Sequence, residues 1–174
     1  MMGRTLLLTG RPGIGKTTVI KAVAEVLGEQ AGGFYTEEIR GPGGRKGFRL
    51  VTLAGQEAVM AHVNLRGQGR PRVSRYGVDV GAIDRVGVAA LCRAMTENEV
   101  VIVDEIGKME LFSGQFRDVV LQAISGHSPV IATIMSKPNP WVEAIKALPQ
   151  VEVWEVTMEN RGRIAERVVE WLKR

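Results

Sequence analysis

Residues 10 to 17 read GRPGIGKT and fit G-x-x-x-x-G-K-[ST] at Gly10, Gly15, Lys16 and Thr17. Each fixed position has a chemical reason. Glycines let the backbone wrap close to phosphate oxygens, so that successive N–H groups form a nest for an anion. A helix starting here adds the positive end of its dipole. The lysine reaches the β- and γ-phosphates, and the threonine hydroxyl is placed to ligate Mg²⁺. The run Gly10, Arg11, Pro12, Gly13, Ile14, Gly15, Lys16, Thr17 and Thr18 is therefore a candidate nucleotide cradle.

A second stretch, VVIVDEIGKMEL at 100–111, ends four apolar β-branched residues on Asp104 and Glu105. Burying a carboxylate is expensive unless something compensates it. Alone, the pair could equally cap the next helix. With a phosphate loop upstream, Asp104 is read with Thr17 as a holder of hydrated Mg²⁺, the expected cofactor. Glu105 then faces the γ-phosphate, where a carboxylate can orient or deprotonate water. Lys16 and Glu105 are the candidate catalytic residues.

These side chains need strands and helices to bring them together, since Asp104 lies 88 residues beyond Lys16. Arg4 to Thr9 is a short apolar run ending in glycine, as a buried strand does. Apolar residues at 19, 20, 23 and 27 mark one helical face over Lys16 to Leu27. GFYTEEI (33–39) and FRLVTLA (48–54) predict a hairpin with a long Gly/Pro tip. Short strands are expected near 58–63 and 71–78, and a helix over 84–95. Further on, a helix near 115–125, a strand at PVIATIM (129–135), a short helix striped by Trp141, Ile145 and Leu148, a strand at 151–157 and a closing helix follow. Strands alternating with helices predict an α/β fold, a mostly parallel sheet flanked by helices on both faces. Ligands in such folds bind beyond the carboxyl ends of the strands.

At 174 residues the chain suits one domain, 1–174, of ordinary globular composition, 45% hydrophobic and 24% charged. No apolar run approaches the roughly 20 residues that span a bilayer, and the N-terminal apolar run is too short for a signal peptide. A cytoplasmic address with no membrane partner is the resulting expectation. One cysteine, Cys92, rules out a disulfide framework, and isolated His62 and His127 argue against zinc. The net charge of +4 suits an anionic partner, and the Arg-rich segments 40–49 and 66–75 read as solvated loops.

The chain resembles the nucleoside-triphosphatase family of thermophilic prokaryotes and the human cancer-related nucleoside-triphosphatase. The resemblance rests on GRPGIGKTT (10–18), GGFYTEEIR (32–40), GFRLVTLAG (47–55), YGVDV (76–80), VIVDEIGKMELFS (101–113) and ENR (159–161), and covers nearly the whole chain. It implies a P-loop NTPase with a RecA-like core, in which the PVIATIM strand lies between the first strand and VVIVD. It implies Mg²⁺-dependent conversion of NTP to NDP and phosphate, with broad base tolerance and slow turnover. It carries the nucleotide-adjacent stretch over to Val103, Asp104, Glu105, Ile106, Gly107 and Lys108.

GFYTEEIR places Glu37 and Glu38 on opposite faces of a strand, where a carboxylate could orient water or simply face solvent. Arg161 reads either as transition-state charge in cis or as a surface arginine at a helix start. Trp141 fits an apolar face and could border a base pocket. Two other functions fit the same motifs: a small nucleotide or nucleoside kinase, and a nucleic-acid-associated ATPase. The basic loops lack the interleaved aromatics that stack bases, so a small-molecule NTP is the favoured partner over nucleic acid.

Overall fold

A computed structural model describes residues 1–174. Nine strands form one sheet: β1 (Thr5–Thr9), β2 (Ala31–Gly41), β3 (Gly44–Thr52), β4 (Glu57–His62), β5 (Arg72–Val73), β6 (Tyr76–Val78), β7 (Val100–Ile106), β8 (Val130–Ile134) and β9 (Val151–Glu155). Their spatial order is β5-β6-β4-β3-β2-β7-β8-β1-β9. The half from β2 to β9 is parallel throughout, while β3, β4, β6 and β5 add an antiparallel wing. β8 lies between β1 and β7, the arrangement the resemblance implied.

Side-chain alternation explains why the central strands read as continuous apolar runs. Leu7, Val101, Val103 and Ala132 enter a core on one face, while Leu6, Leu8, Ile102 and Ile131 enter another on the opposite face. Helices α1 (Lys16–Leu27) and α6 (Ile164–Leu172) cover the second face with Val19, Ile20, Val23, Ile164, Val168 and Trp171. The first face is covered by α3 (Ala89–Glu97), α4 (Gly114–Ser125) and α5 (Pro140–Lys146), which contribute Leu91, Phe116, Val120, Val142 and Ile145. Each such side chain contributes about 1.5–3 kcal/mol by leaving water. No helix is long and apolar enough to cross a membrane.

Three local readings need correction. The β2–β3 hairpin has a tight tip, because pairing continues out to Gly41 opposite Gly44. Gly43, at φ +81°, supplies the left-handed position that a type II turn needs after Pro42. The helical region begins at α2 (Val80–Ala82), four residues before the expected start, where the Asp79 side chain accepts from Ala82 N at 3.0 Å. It reaches α3 through a π-helical stretch, Ile83–Val88. Lastly, the Arg-rich segments 40–49 and 66–75 are not simply solvated loops. Arg45 stands on β3 and Arg72 on β5, and both Arg45 and Arg75 donate to the Tyr76 hydroxyl, at 3.0 and 3.4 Å.

β2 and β7 approach unusually closely. Gly33 takes φ +116°, and a Cβ built there would lie 1.9 Å from the Ile102 carbonyl oxygen. Only glycine fits there, and three residues further along β2 the Thr36 N–H donates to Asp104.

Candidate active site

The residues after β1 turn through the glycine-rich loop and enter α1 at Gly15, whose φ of +115° is left-handed. α1 has no side-chain N-cap and no acidic residue in its first turn. Its opening N–H groups are therefore not claimed by a side chain, and the helix dipole favours an anion there. Lys16 Nζ donates to the Gly10 carbonyl at 2.7 Å and stands 3.6 Å from Glu105 Oε2.

Asp104 is 1% exposed. Its carboxylate accepts from Thr17 Oγ1 at 2.8 Å, Thr133 Oγ1 at 2.5 Å and Thr36 N at 3.3 Å. All three donors are neutral, and no cation forms an ion pair with it. Burial pushes its pKa above the ordinary value, opposed by Thr133, Thr17 and the Thr36 N–H, and by the charge of Lys16. A carboxylate so placed, next to a threonine hydroxyl and an anion nest, suits a hard divalent cation. Mg²⁺ needs only one or two protein oxygens besides phosphate and water, so Thr17 and Asp104 fit the role.

The Glu105 side chain is 34% exposed. Burial pushes its carboxyl upward, Lys16 pulls it down, and Asp104 pushes it up again. A cavity of about 880 Å³ spreads over these groups. Pro12, Gly13, Gly15, Lys16, Thr17 and Thr18 form one wall, and Glu37, Glu38, Arg45, Phe48, Arg75 and Tyr76 form another.

Other sequence candidates divide. Glu37 and Glu38 do face the cavity, but both are paired: Glu37 with Lys21 at 2.6 Å, Glu38 with Arg40 at 2.6 Å and Arg45 at 3.0 Å. These partners hold both carboxyls below their usual range. Arg161 Nη1 donates to the Ile14 carbonyl at 3.4 Å, which ties it to the back of the loop. Val103 and Ile106 are fully buried in the same apolar core and do not line the main cavity. The β7–β8 pairing shifts register between them and turns both toward the helices, while Asp104 and Glu105 face the site. The Ile14 side chain is likewise buried in the other core. Arg11, Gly107 and Lys108 do not line the main cavity, and Lys108 and Trp141 border a separate one.

The sequence did not mark Arg45, Phe48, Arg75 and Tyr76 of the cavity wall as site residues, and two buried polar residues beside Asp104 and Glu105 escaped it as well. Thr133 is one; a threonine within the buried run PVIATIM was the available signal. Glu110 is the other, 4% exposed and without an ion-pair partner. An ideal Cβ on Gly107 would lie 2.7 Å from Glu105 Oε1 and 3.1 Å from Glu110 Oε2, so the two carboxyls are within about 6 Å of each other. Burial first, then the Glu105 charge, pushes the Glu110 carboxyl well above the carboxylate range.

A glycine-rich loop between β1 and α1, facing the carboxylate end of β7 across an intervening β8, defines the P-loop NTPase class. Known proteins agree. A family model described as NTPase matches residues 5–169. Nucleoside-triphosphatase THEP1 of Thermotoga maritima is 43% identical over 168 residues, spanning 97% of this chain and 95% of the relative. The Methanopyrus kandleri THEP1 is 42% identical over 99% of both chains. The crystal structure of THEP1 from Aquifex aeolicus superposes with a TM-score of 0.87 at 38% identity, covering 98% of this chain and 99% of that one. The solution structure of a human cancer-related nucleoside triphosphatase gives 0.83, also at 38% identity, over 98% of each chain. The chain belongs to the nucleoside-triphosphatase family.

Proposed function

We propose that this chain, acting as one domain, is a Mg²⁺-dependent phosphohydrolase that converts NTPs to NDP and phosphate. The observation that carries the reading is the convergence of Lys16, Thr17, Asp104 and Glu105 at one wall of the main cavity. Base tolerance rests on the family resemblance, since Tyr76 is 5% exposed with Arg45 and Arg75 over its ring and Phe48 packs edge-on against it. Slow turnover rests on the family resemblance.

Each residue then has a role. The N–H groups at the start of α1 and the Lys16 ammonium bind the phosphate oxygens. Thr17 and Asp104 hold Mg²⁺, which when bound would offset charge on the β- and γ-phosphate oxygens. Glu105 positions a water and accepts its proton as the water oxygen bonds to the γ-phosphorus. The bond from that phosphorus to the β–γ bridging oxygen breaks, and NDP leaves with the electron pair. Burial, by raising the Glu105 pKa toward neutrality, makes its carboxylate a better proton acceptor than an exposed one.

Phosphate release from ATP, GTP, CTP and UTP, with Mg²⁺ and after chelation, tests the reading. It predicts release from all four nucleotides and none once the metal is removed. Undiminished release in excess chelator, or no release from any NTP, would overturn it.

A further inference from the structure

Beyond Glu105, a second cleft of about 420 Å³ borders the main cavity, with Val73 and Ser74 lining both. Its volume lies within the range of roughly 300–1,000 Å³ usual for small-molecule sites. The charge on its wall is all of one sign. Arg72, Lys108 and Arg117 line it, and no acidic residue does. None of the three is in an ion pair, so no carboxylate of the chain offsets their charge at the cleft.

Two aromatic side chains complete the cleft. Trp141 is half-buried against the core at the start of α5. Phe112 is 45% exposed, which leaves aromatic surface in the cleft open to a stacking ring. Three uncompensated cations beside two aromatic surfaces suit a ligand with an anionic group and a planar ring. The substrate does not supply that anion, because its phosphates are held by the loop at Gly10–Thr18. This step rests on the proposed function, which sets the γ-phosphate end of the NTP at Glu105.

We propose that this cleft binds a second nucleoside phosphate, its base against Trp141 and Phe112 and its phosphate against Arg72, Lys108 and Arg117. The ligand is either a free mononucleotide or one unit of a single-stranded nucleic acid. Base stacking on aromatic side chains and phosphate contact with arginine are both tolerant of sequence, so the site selects the class of ligand more than the base.

Calorimetry on the full chain tests this, after saturation with Mg²⁺ and a non-hydrolysable β,γ-imido NTP. AMP, UMP and a 5′-phosphorylated trinucleotide are titrated separately. The expected result is one additional site per chain, weakened roughly tenfold or more by Arg72→Ala with Arg117→Ala, and similarly by Trp141→Leu. Affinity should also fall with salt, as phosphate contacts require. Equal binding per nucleotide by the mononucleotides identifies a free ligand, and binding by the trinucleotide alone identifies a single strand. No second site at millimolar ligand, a second ligand that only displaces the imido NTP, or binding indifferent to the three substitutions would each overturn the proposal. Phosphate release by the same variants separates the two readings: hydrolysis that survives a failed titration leaves the proposed function standing.

Discussion

The Thr17 hydroxyl donates to Asp104 Oδ2 at 2.8 Å, although 87 residues separate the two. The contact joins the phosphate loop to the end of β7, and Thr133 of β8 donates to the other carboxylate oxygen from between them. Sheet order thus sets the geometry. If the pair holds the metal, Asp104→Asn, which keeps shape and removes charge, should raise the Mg²⁺ concentration for half-maximal hydrolysis at least tenfold. Its stability without metal should stay within about 1 kcal/mol, because the charge it removes is buried and unpaired by any cation. Metal titrations of activity and denaturant melts check the two halves separately.

Thr133→Val tests the support beneath that carboxylate. The swap keeps the volume and removes a donor 2.5 Å from Asp104 Oδ1. A buried acceptor deprived of its donor costs about 1–3 kcal/mol, so urea melts should show a loss of that size. Thr133→Ser should recover most of it. A valine variant as stable as wild type would show that this hydroxyl contributes nothing net.

The β2–β7 approach gives a backbone prediction. Gly33→Ala sets a methyl against the Ile102 carbonyl at a positive φ, so it should cost about 3 kcal/mol or more or prevent folding. Gly44→Ala also sits at a positive φ, +109°, but with nothing within 4 Å. It should cost only about 1–2 kcal/mol. Comparable melting of both variants would contradict the steric argument.

The parallel core and both motifs were legible because they are written locally. VVIVD and PVIATIM are short apolar runs, and GRPGIGKT has fixed spacing. What was not legible depends on distant partners. Pairing of Glu37 with Lys21 and of Glu38 with Arg45 decides that these acids face the cavity already neutralised. Val103 and Ile106 sit beside catalytic positions in sequence yet share one core. A register shift in the β7–β8 pairing falls between them and interrupts the strand's alternation, which spacing alone does not reveal. The Arg-rich segments looked like loops because glycine and proline punctuate them, but sheet pairing absorbed Gly41, Gly44 and Gly47 into β2 and β3.

Glu110 yields a pH prediction. Its folded-state pKa is raised above the ordinary 4.5 by burial and by Glu105. Between the unfolded and folded values the native state holds the extra proton, so this residue's contribution to stability falls as pH rises. Glu110→Gln removes that slope. Its stability advantage over wild type should therefore grow from acid toward neutral pH in metal-free melts. A constant difference across that range would show that Glu110 does not titrate abnormally.

The most direct test of the account is turnover by Glu105→Gln at saturating Mg²⁺–NTP, with nucleotide affinity measured on the same preparation. The account predicts a fall in kcat of roughly 10²-fold or more, the usual worth of a positioned proton acceptor, with binding essentially unchanged. Turnover near the wild-type rate would contradict it and remove Glu105 from the chemistry.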